Sequence, residues 1–143
     1  MKDVHDMKDR DLDIAIAEGV MGQTVAAEEW PCFLYEDTSE LIPQHNVILS
    51  RAFSYEPVLY RKDGDGLGTL VICPKYTTDA RETEKVIERM LLDKYEMCLV
   101  GIFQAVNCLF DHPEGSMKFV HSRPDWKRAI CEAALLAVRG AAQ

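Results

Sequence analysis

Two stretches of the chain place a cation, an aromatic ring and hydroxyl or carboxylate groups just ahead of a helix-like pattern. They are Lys75-Tyr76-Thr77-Thr78-Asp79 and His121-Ser122-Arg123-Pro124-Asp125-Trp126. The chemistry such groups serve is binding. Backbone N–H groups at a helix start receive anions such as phosphate, Lys75 and Arg123 add charge-assisted donors, and Tyr76 and Trp126 offer flat faces to a purine. Asp79 and Asp125 are also placed to cap their own helices. Thr78 and His121 complete the candidate contacts, and Trp30 and Tyr35, from an irregular earlier stretch, are available to close over a base by stacking.

Other chemistries fail on spacing. Asp63-Gly64-Asp65-Gly66-Leu67-Gly68 has Leu67 at the fifth position of a calcium loop and Pro74 where a bidentate Glu is needed. It also has Gly at every second position and leads into a strand, whereas a dinucleotide loop needs G-x-G-x-x-G opening a helix. Its Asp-Gly pairs instead supply the positive φ angles of a hairpin turn. The histidines form no H-E-x-x-H and the cysteines no C-x-x-C. Cys108, His112 and His121 are the one group able to converge on a metal, set against buried Cys and surface His; the reading is no metal and no cofactor. Cys73 reads as small apolar packing. The charges from Arg81 to Lys94 alternate in sign at i, i+3 and i+4, which is a solvated helix face and not a carboxylate pair poised for proton transfer.

Composition narrows the partners. The 143 residues carry 16 Lys plus Arg against 24 Asp plus Glu, a net charge of −8, without the clustered basic surface that nucleic acid or an anionic membrane rewards. No apolar run approaches the ~18 residues of a membrane span, and the polar opening Met1 to Asp6 lacks a signal-peptide core. Five Cys without paired spacing fit a reducing cytoplasm.

The elements that must position the two stretches follow from periodicity. Leu12, Ile16, Gly19 and Val20 make one face of a helix over about 8–21, with Gly22 as its stop. Residues 23–55 are irregular: Trp30 to Tyr35 and Val47 to Leu49 are strand-like, but Pro31, Pro43 and the polar tract 36–40 interrupt them. Pro57 to Arg61 and Leu70 to Cys73 flank the Asp-Gly turn as a hairpin. Ala80, Thr83, Val86, Ile87, Met90 and Leu91 form the stripe of a second helix capped by Thr78 or Asp79. Strands are predicted over Met97 to Phe103, Ala105 to Phe110 and Met117 to Val120. A final helix opens at Pro124 with Trp126, Ala129, Ile130, Ala133, Ala134 and Ala137 as its buried stripe. With no repeat or linker, residues 1–143 read as a single domain. The expected fold class is α+β, an α/β/α layered sandwich with a mainly antiparallel sheet and three helices.

Three segments in this order, "DLDIAIAEGVMGQ" at 11–23, "PKYTTDARETEKVIERM" at 74–90 and "PDWKRAICEAALLAV" at 124–138, resemble the phage ABA-sandwich domain family of small bacteriophage proteins. The resemblance spans most of the chain, with Gln23 standing where the family commonly has Trp. It implies an α/β/α arrangement and an accessory protein acting in the cytoplasm of an infected bacterial host. Several compact phage proteins of that kind trap the nucleotide-derived signals of Thoeris or CBASS-like defences. By that context the expected function is a sponge that binds and sequesters a cyclic ADP-ribose or cyclic oligonucleotide signal without turnover, as a homo-oligomer. The expected contacts are Lys75, Tyr76, Thr78, Asp79, His121, Arg123, Trp126 and Trp30. Two other classes stay open: an acidic protein-binding inhibitor of a host enzyme, and a phosphodiesterase using His112 and His121 as acid and base.

Overall fold

The computed structural model describes residues 3–34, 41–43, 53–62, 68–102, 105–112, 118–119 and 124–141. The chain divides into two compact units, Met1–Gly22 with Pro74–Gln143, and Gln23–Cys73. Three α-helices and antiparallel strands make an α+β fold of the class expected. The strands lie in two sheets, one per unit, instead of one.

In the discontinuous unit, α1 (Asp9–Gly19), α2 (Ala80–Leu92) and α3 (Trp126–Ala141) accompany a sheet of β5 (Glu96–Ile102), β6 (Ala105–Asp111) and β7 (Lys118–Phe119) in the order β5-β6-β7. Pairing runs from Glu96 opposite Asp111 to Ile102 opposite Ala105, and β7 joins through Leu109 opposite Phe119. α3 packs along β6, and α1 and α2 both pack on α3. A helix touched on several sides must be apolar nearly all round. Ala129, Ile130, Cys131, Ala133, Ala134, Leu135 and Ala137 are accordingly buried, with Leu12, Ile16 and Ala17 of α1, Val20 just past its end, and Val86 and Met90 of α2 in the same core. Small side chains set the spacing: a Cβ on Gly19 would lie 3.1 Å from Leu135 Cδ1, so α1 and α3 approach there as closely as a glycine permits.

The helix ends follow capping chemistry. Asp79 caps α2 by accepting from the Arg81 N–H at 3.0 Å. At the other end Lys94 takes φ 74° while its N–H bonds the Leu91 carbonyl and the Tyr95 N–H bonds the Met90 carbonyl, the Schellman pattern usually completed by glycine. Two stripe positions of this helix, Ala80 and Leu91, are exposed; the buried line is Thr83, Val86 and Met90.

In the continuous unit, β1 (Thr24–Leu34), β2 (Leu41–Pro43), β3 (Phe53–Lys62) and β4 (Gly68–Ile72) form an antiparallel sheet in the order β2-β1-β3-β4. The hairpin expected around the Asp-Gly pairs is β3–β4, from Val58 opposite Ile72 to Lys62 opposite Gly68. The Cys73 N–H adds a bond to the Pro57 carbonyl at 2.8 Å. The stretch read as irregular contains β1, the longest of the described strands. Within β1, Pro31 lies opposite Tyr55 of β3, and two register shifts, between Val25 and Ala27 and between Ala27 and Trp30, interrupt that pairing ahead of it. Pro43 sits on β2, which among the described strands pairs with β1 alone. The expected strand at Val47 to Leu49 lies outside the described residues.

Candidate functional site

The first candidate stretch, residues 75–79, is a turn drawn into the core of its unit. The Lys75 carbonyl accepts from the Asp79 N–H at 2.9 Å and the Thr78 N–H at 3.3 Å, closing the turn. Tyr76 and Thr77 are then directed inward and are buried, while Lys75, Thr78 and Asp79 are exposed. The Tyr76 carbonyl accepts from the Thr83 hydroxyl at 2.6 Å and the Cys131 thiol at 3.2 Å, tying the turn to α2 and α3. Thr77 ties it to α1: its N–H and its hydroxyl both donate to Asp13 Oδ1 at 2.9 Å.

Asp13 is a fully buried carboxylate. Its second oxygen receives Arg10 Nη1 at 2.8 Å. Burial raises its pKa above 3.8, against the pull of the Thr77 donors and the Arg10 guanidinium, which favour the charged form. Glu132, also fully buried, meets His5 Nδ1 at 3.0 Å and lies 3.6 Å from Arg128 Nε, so α3 holds the short 3-10 turn Val4–Asp6. Arg128 further donates to the Asp9 carboxylate at 2.6 Å and the Met7 carbonyl at 2.5 Å.

The second stretch is described from Pro124 on; His121 and Arg123 lie outside the described residues. Asp125 accepts from the Lys127 N–H at 3.0 Å, the geometry of a cap. Trp126, expected in the buried stripe of the last helix, is instead 37 % exposed. It is the first residue of α3, and the buried stripe begins three positions on, at Ala129. Lys127 Nζ lies 5.4 Å from the indole centroid and 3.4 Å from Asp125. The cation thus rests on the ring face by a cation–π contact.

The two stretches share a neighbour. Thr77 Oγ1 lies 3.5 Å from the Asp9 carbonyl, and Arg128, in the first turn of α3, binds the Asp9 carboxylate. The starts of α1 and α3 and the turn before α2 are therefore gathered at one end of this unit. Lys75, Thr78, Asp79 and Trp126 are its exposed members among the expected contacts. Tyr76 belongs to the interior. Trp30 is a β1 residue opposite Glu56 in the other unit, its side chain outside the described part, and Tyr35 is outside it altogether.

Asp13, Glu132 and Lys127 were not among the expected residues. A helical projection carries a signal for the first: Asp13 falls inside the arc of Leu12, Ile16, Ala17 and Val20. Lys127 follows an aromatic at a helix start, a pairing that spacing alone leaves undistinguished from a solvated lysine.

Among the described residues no three of His, Cys, Asp and Glu gather to hold a metal. Cys108 is buried with its thiol pushed up to about 12 by that burial and by nearby Cys98, and His112 packs edge-on to Tyr95 at 5.0 Å; their third expected partner, His121, is outside the described residues. Burial also raises Cys131 well above 9.0, with Asp13 nearby adding to the effect, which leaves a neutral thiol able to donate to Tyr76 and unsuited to nucleophilic attack. No helix of the described residues is long and apolar enough to cross a membrane.

No protein-family model matches the chain, and no curated protein matches it. Among solved structures, it is similar to a phage protein from Bacillus cereus ATCC 14579, known from a 2.0 Å crystal structure, with a TM-score of 0.57 and 17% sequence identity over 92% of each chain. At that identity the likeness is one of fold, and it extends over nearly the whole length of both chains.

Proposed function

We propose that this chain is a phage-encoded counter-defence protein that binds and holds a nucleotide-derived immune signal, of the cyclic ADP-ribose or cyclic oligonucleotide type, without turning it over. It acts in the cytoplasm of the infected bacterium as a homo-oligomer. The observation that carries this reading is the exposed Trp126 with Lys127 over its ring, at the end of the unit where Lys75 and Thr78 are also exposed. An indole and an ammonium group offer a purine a stacking face and a phosphate a charge-assisted donor. The fold likeness to a phage protein supports the biological setting. The buried groups support holding over turnover: Asp13, Glu132 and Cys131 are engaged with their own chain, and the thiol is kept neutral.

Thermal melting of the purified protein against cyclic ADP-ribose isomers, ADP-ribose and cyclic dinucleotides, with mass spectrometry of each recovered ligand, tests the reading. A raised melting temperature with intact ligand is the expected result. Degraded ligand would replace the sponge with a phosphodiesterase, and the absence of any shift would replace it with an inhibitor of a host protein.

A further inference from the structure

The chain passes from one unit to the other twice, after Gly22 and before Pro74. Both crossings are sharp. On the way out, the Met21 N–H bonds the Ile16 carbonyl at 2.9 Å, Gly22 takes φ 67° with open space where a Cβ would lie, and Thr24 is already paired in β1, opposite Tyr60. On the way back, the Cys73 N–H bonds the Pro57 carbonyl, and Pro74, which has no N–H, cannot extend that ladder. The Pro74 carbonyl belongs to the discontinuous unit, where Arg10 Nη1 reaches it at 3.5 Å.

We propose that Gln23–Cys73 is an inserted folding unit that opens and closes on its own, and that Asp13 with Thr77 is the clasp that keeps the discontinuous unit folded around it. The two halves of the clasp come from either side of the insertion. Asp13 lies ahead of it on α1, Thr77 lies behind it, and two bonds of 2.9 Å join them at a fully buried carboxylate. Arg10 spans the same gap, reaching both Asp13 and the Pro74 carbonyl. Helix packing repeats the closure, since α1 ahead of the insertion packs on α3 behind it. These bonds and contacts persist whether the residues between are paired or extended. The entropic cost of holding the ends of a loop rises only logarithmically with its length, so an open insertion adds little strain to the clasp. The continuous unit closes by its own antiparallel pairings, β1 with β2, β1 with β3 and β3 with β4. Compact units with separate hydrogen-bonded sheets and short, punctuated crossings open as separate cooperative bodies. The gathered starts of α1 and α3 thereby keep their geometry while the inserted sheet opens, and no bound nucleotide is needed for this.

Hydrogen exchange of the full chain, read by mass spectrometry, follows both units in one sample. Leu59→Ala, at a buried position of β3, is expected to speed exchange of the β3 and β4 amides by about 30-fold or more. It is expected to leave the amides from Ile130 to Leu135 of α3 within about twofold of the unmodified chain. Asp13→Ala is expected to do the reverse, speeding the α3 amides by about 100-fold or more and leaving β3 and β4 within about twofold. Complete loss of protection in β3 and β4 of Leu59→Ala, with α3 still protected, would support the proposal equally. Either substitution speeding both sets alike, or leaving the set in its own unit unmoved, would overturn it.

Discussion

The two stretches that open α2 and α3 contain the same kinds of residue and are put to opposite uses. Each has an aromatic residue, a cation and an aspartate that caps the helix behind it. In the first, Tyr76 and Thr77 turn inward, where Asp13 of α1 and Cys131 of α3 consume their polar groups. In the second, Trp126 stays at the surface and gathers Lys127 onto its ring. What separates them is the neighbour. A polar turn lying against a helix that carries a buried carboxylate becomes part of the core, because the carboxylate needs donors and the turn has them. At the start of α3 it is Arg128 that reaches Asp9 of α1, and Trp126 keeps its ring at the surface.

The sharpest way to break that contrast is to remove the buried acceptor. Asp13→Ala removes the buried acceptor shared by the Thr77 N–H, the Thr77 hydroxyl and Arg10 Nη1, and is expected to cost about 3–5 kcal/mol in denaturant unfolding, as the loss of one partner from a buried charged network does. A loss under about 1 kcal/mol would mean that the first stretch is not anchored through Asp13.

A smaller effect is expected from pH. Burial raises the Asp13 carboxyl above 3.8, so the folded chain binds that proton more tightly than the unfolded chain. The stability this group contributes is full below pH 3.8 and is lost as the pH rises through the folded value. Asp13→Asn cannot titrate, so the stability difference, unmodified minus variant, is expected to fall as pH rises through that window. A difference that grows with pH would mean that Arg10 and Thr77 outweigh burial.

The caps should behave alike where the interiors do not. Asp79→Ala and Asp125→Ala are each expected to lower stability by about 1 kcal/mol, read from thermal melts. Unequal losses would locate a difference between the stretches in the caps themselves. Least of all should Trp126→Ala disturb the fold, by no more than about 1 kcal/mol, while removing the melting shift given by a bound nucleotide. A large loss of stability would return Trp126 to the core.

Much of this architecture is legible in the sequence because it is local. The stripe Leu12-Ile16-Val20, the Asp79 cap, Pro124 ahead of α3 and the Asp-Gly pairs between β3 and β4 each act within a few residues, and each marks an element the structure contains. β1 is obscured in the sequence because Pro31 reads as a strand breaker, and its pairing with Tyr55 of β3 is made with a residue far along the chain. The division into two sheets is likewise a matter of which strands meet. The site was harder to read than the fold. Thr77 meets Asp13 across 64 positions and His5 meets Glu132 across 127, and no periodicity encodes a partner at such distance. Composition could propose Tyr76 and Trp126 equally, and only packing separates the enclosed ring from the exposed one.

The central claim is that Trp126 presents a purine-stacking face beside a cation, and its fluorescence reports on that directly. The chain has two tryptophans, so Trp30→Phe leaves Trp126 as the one indole. Titration of this variant with cyclic ADP-ribose isomers and cyclic dinucleotides is expected to quench the emission saturably for at least one of them, with that ligand recovered intact. Emission unchanged by every ligand up to about 1 mM would contradict the claim.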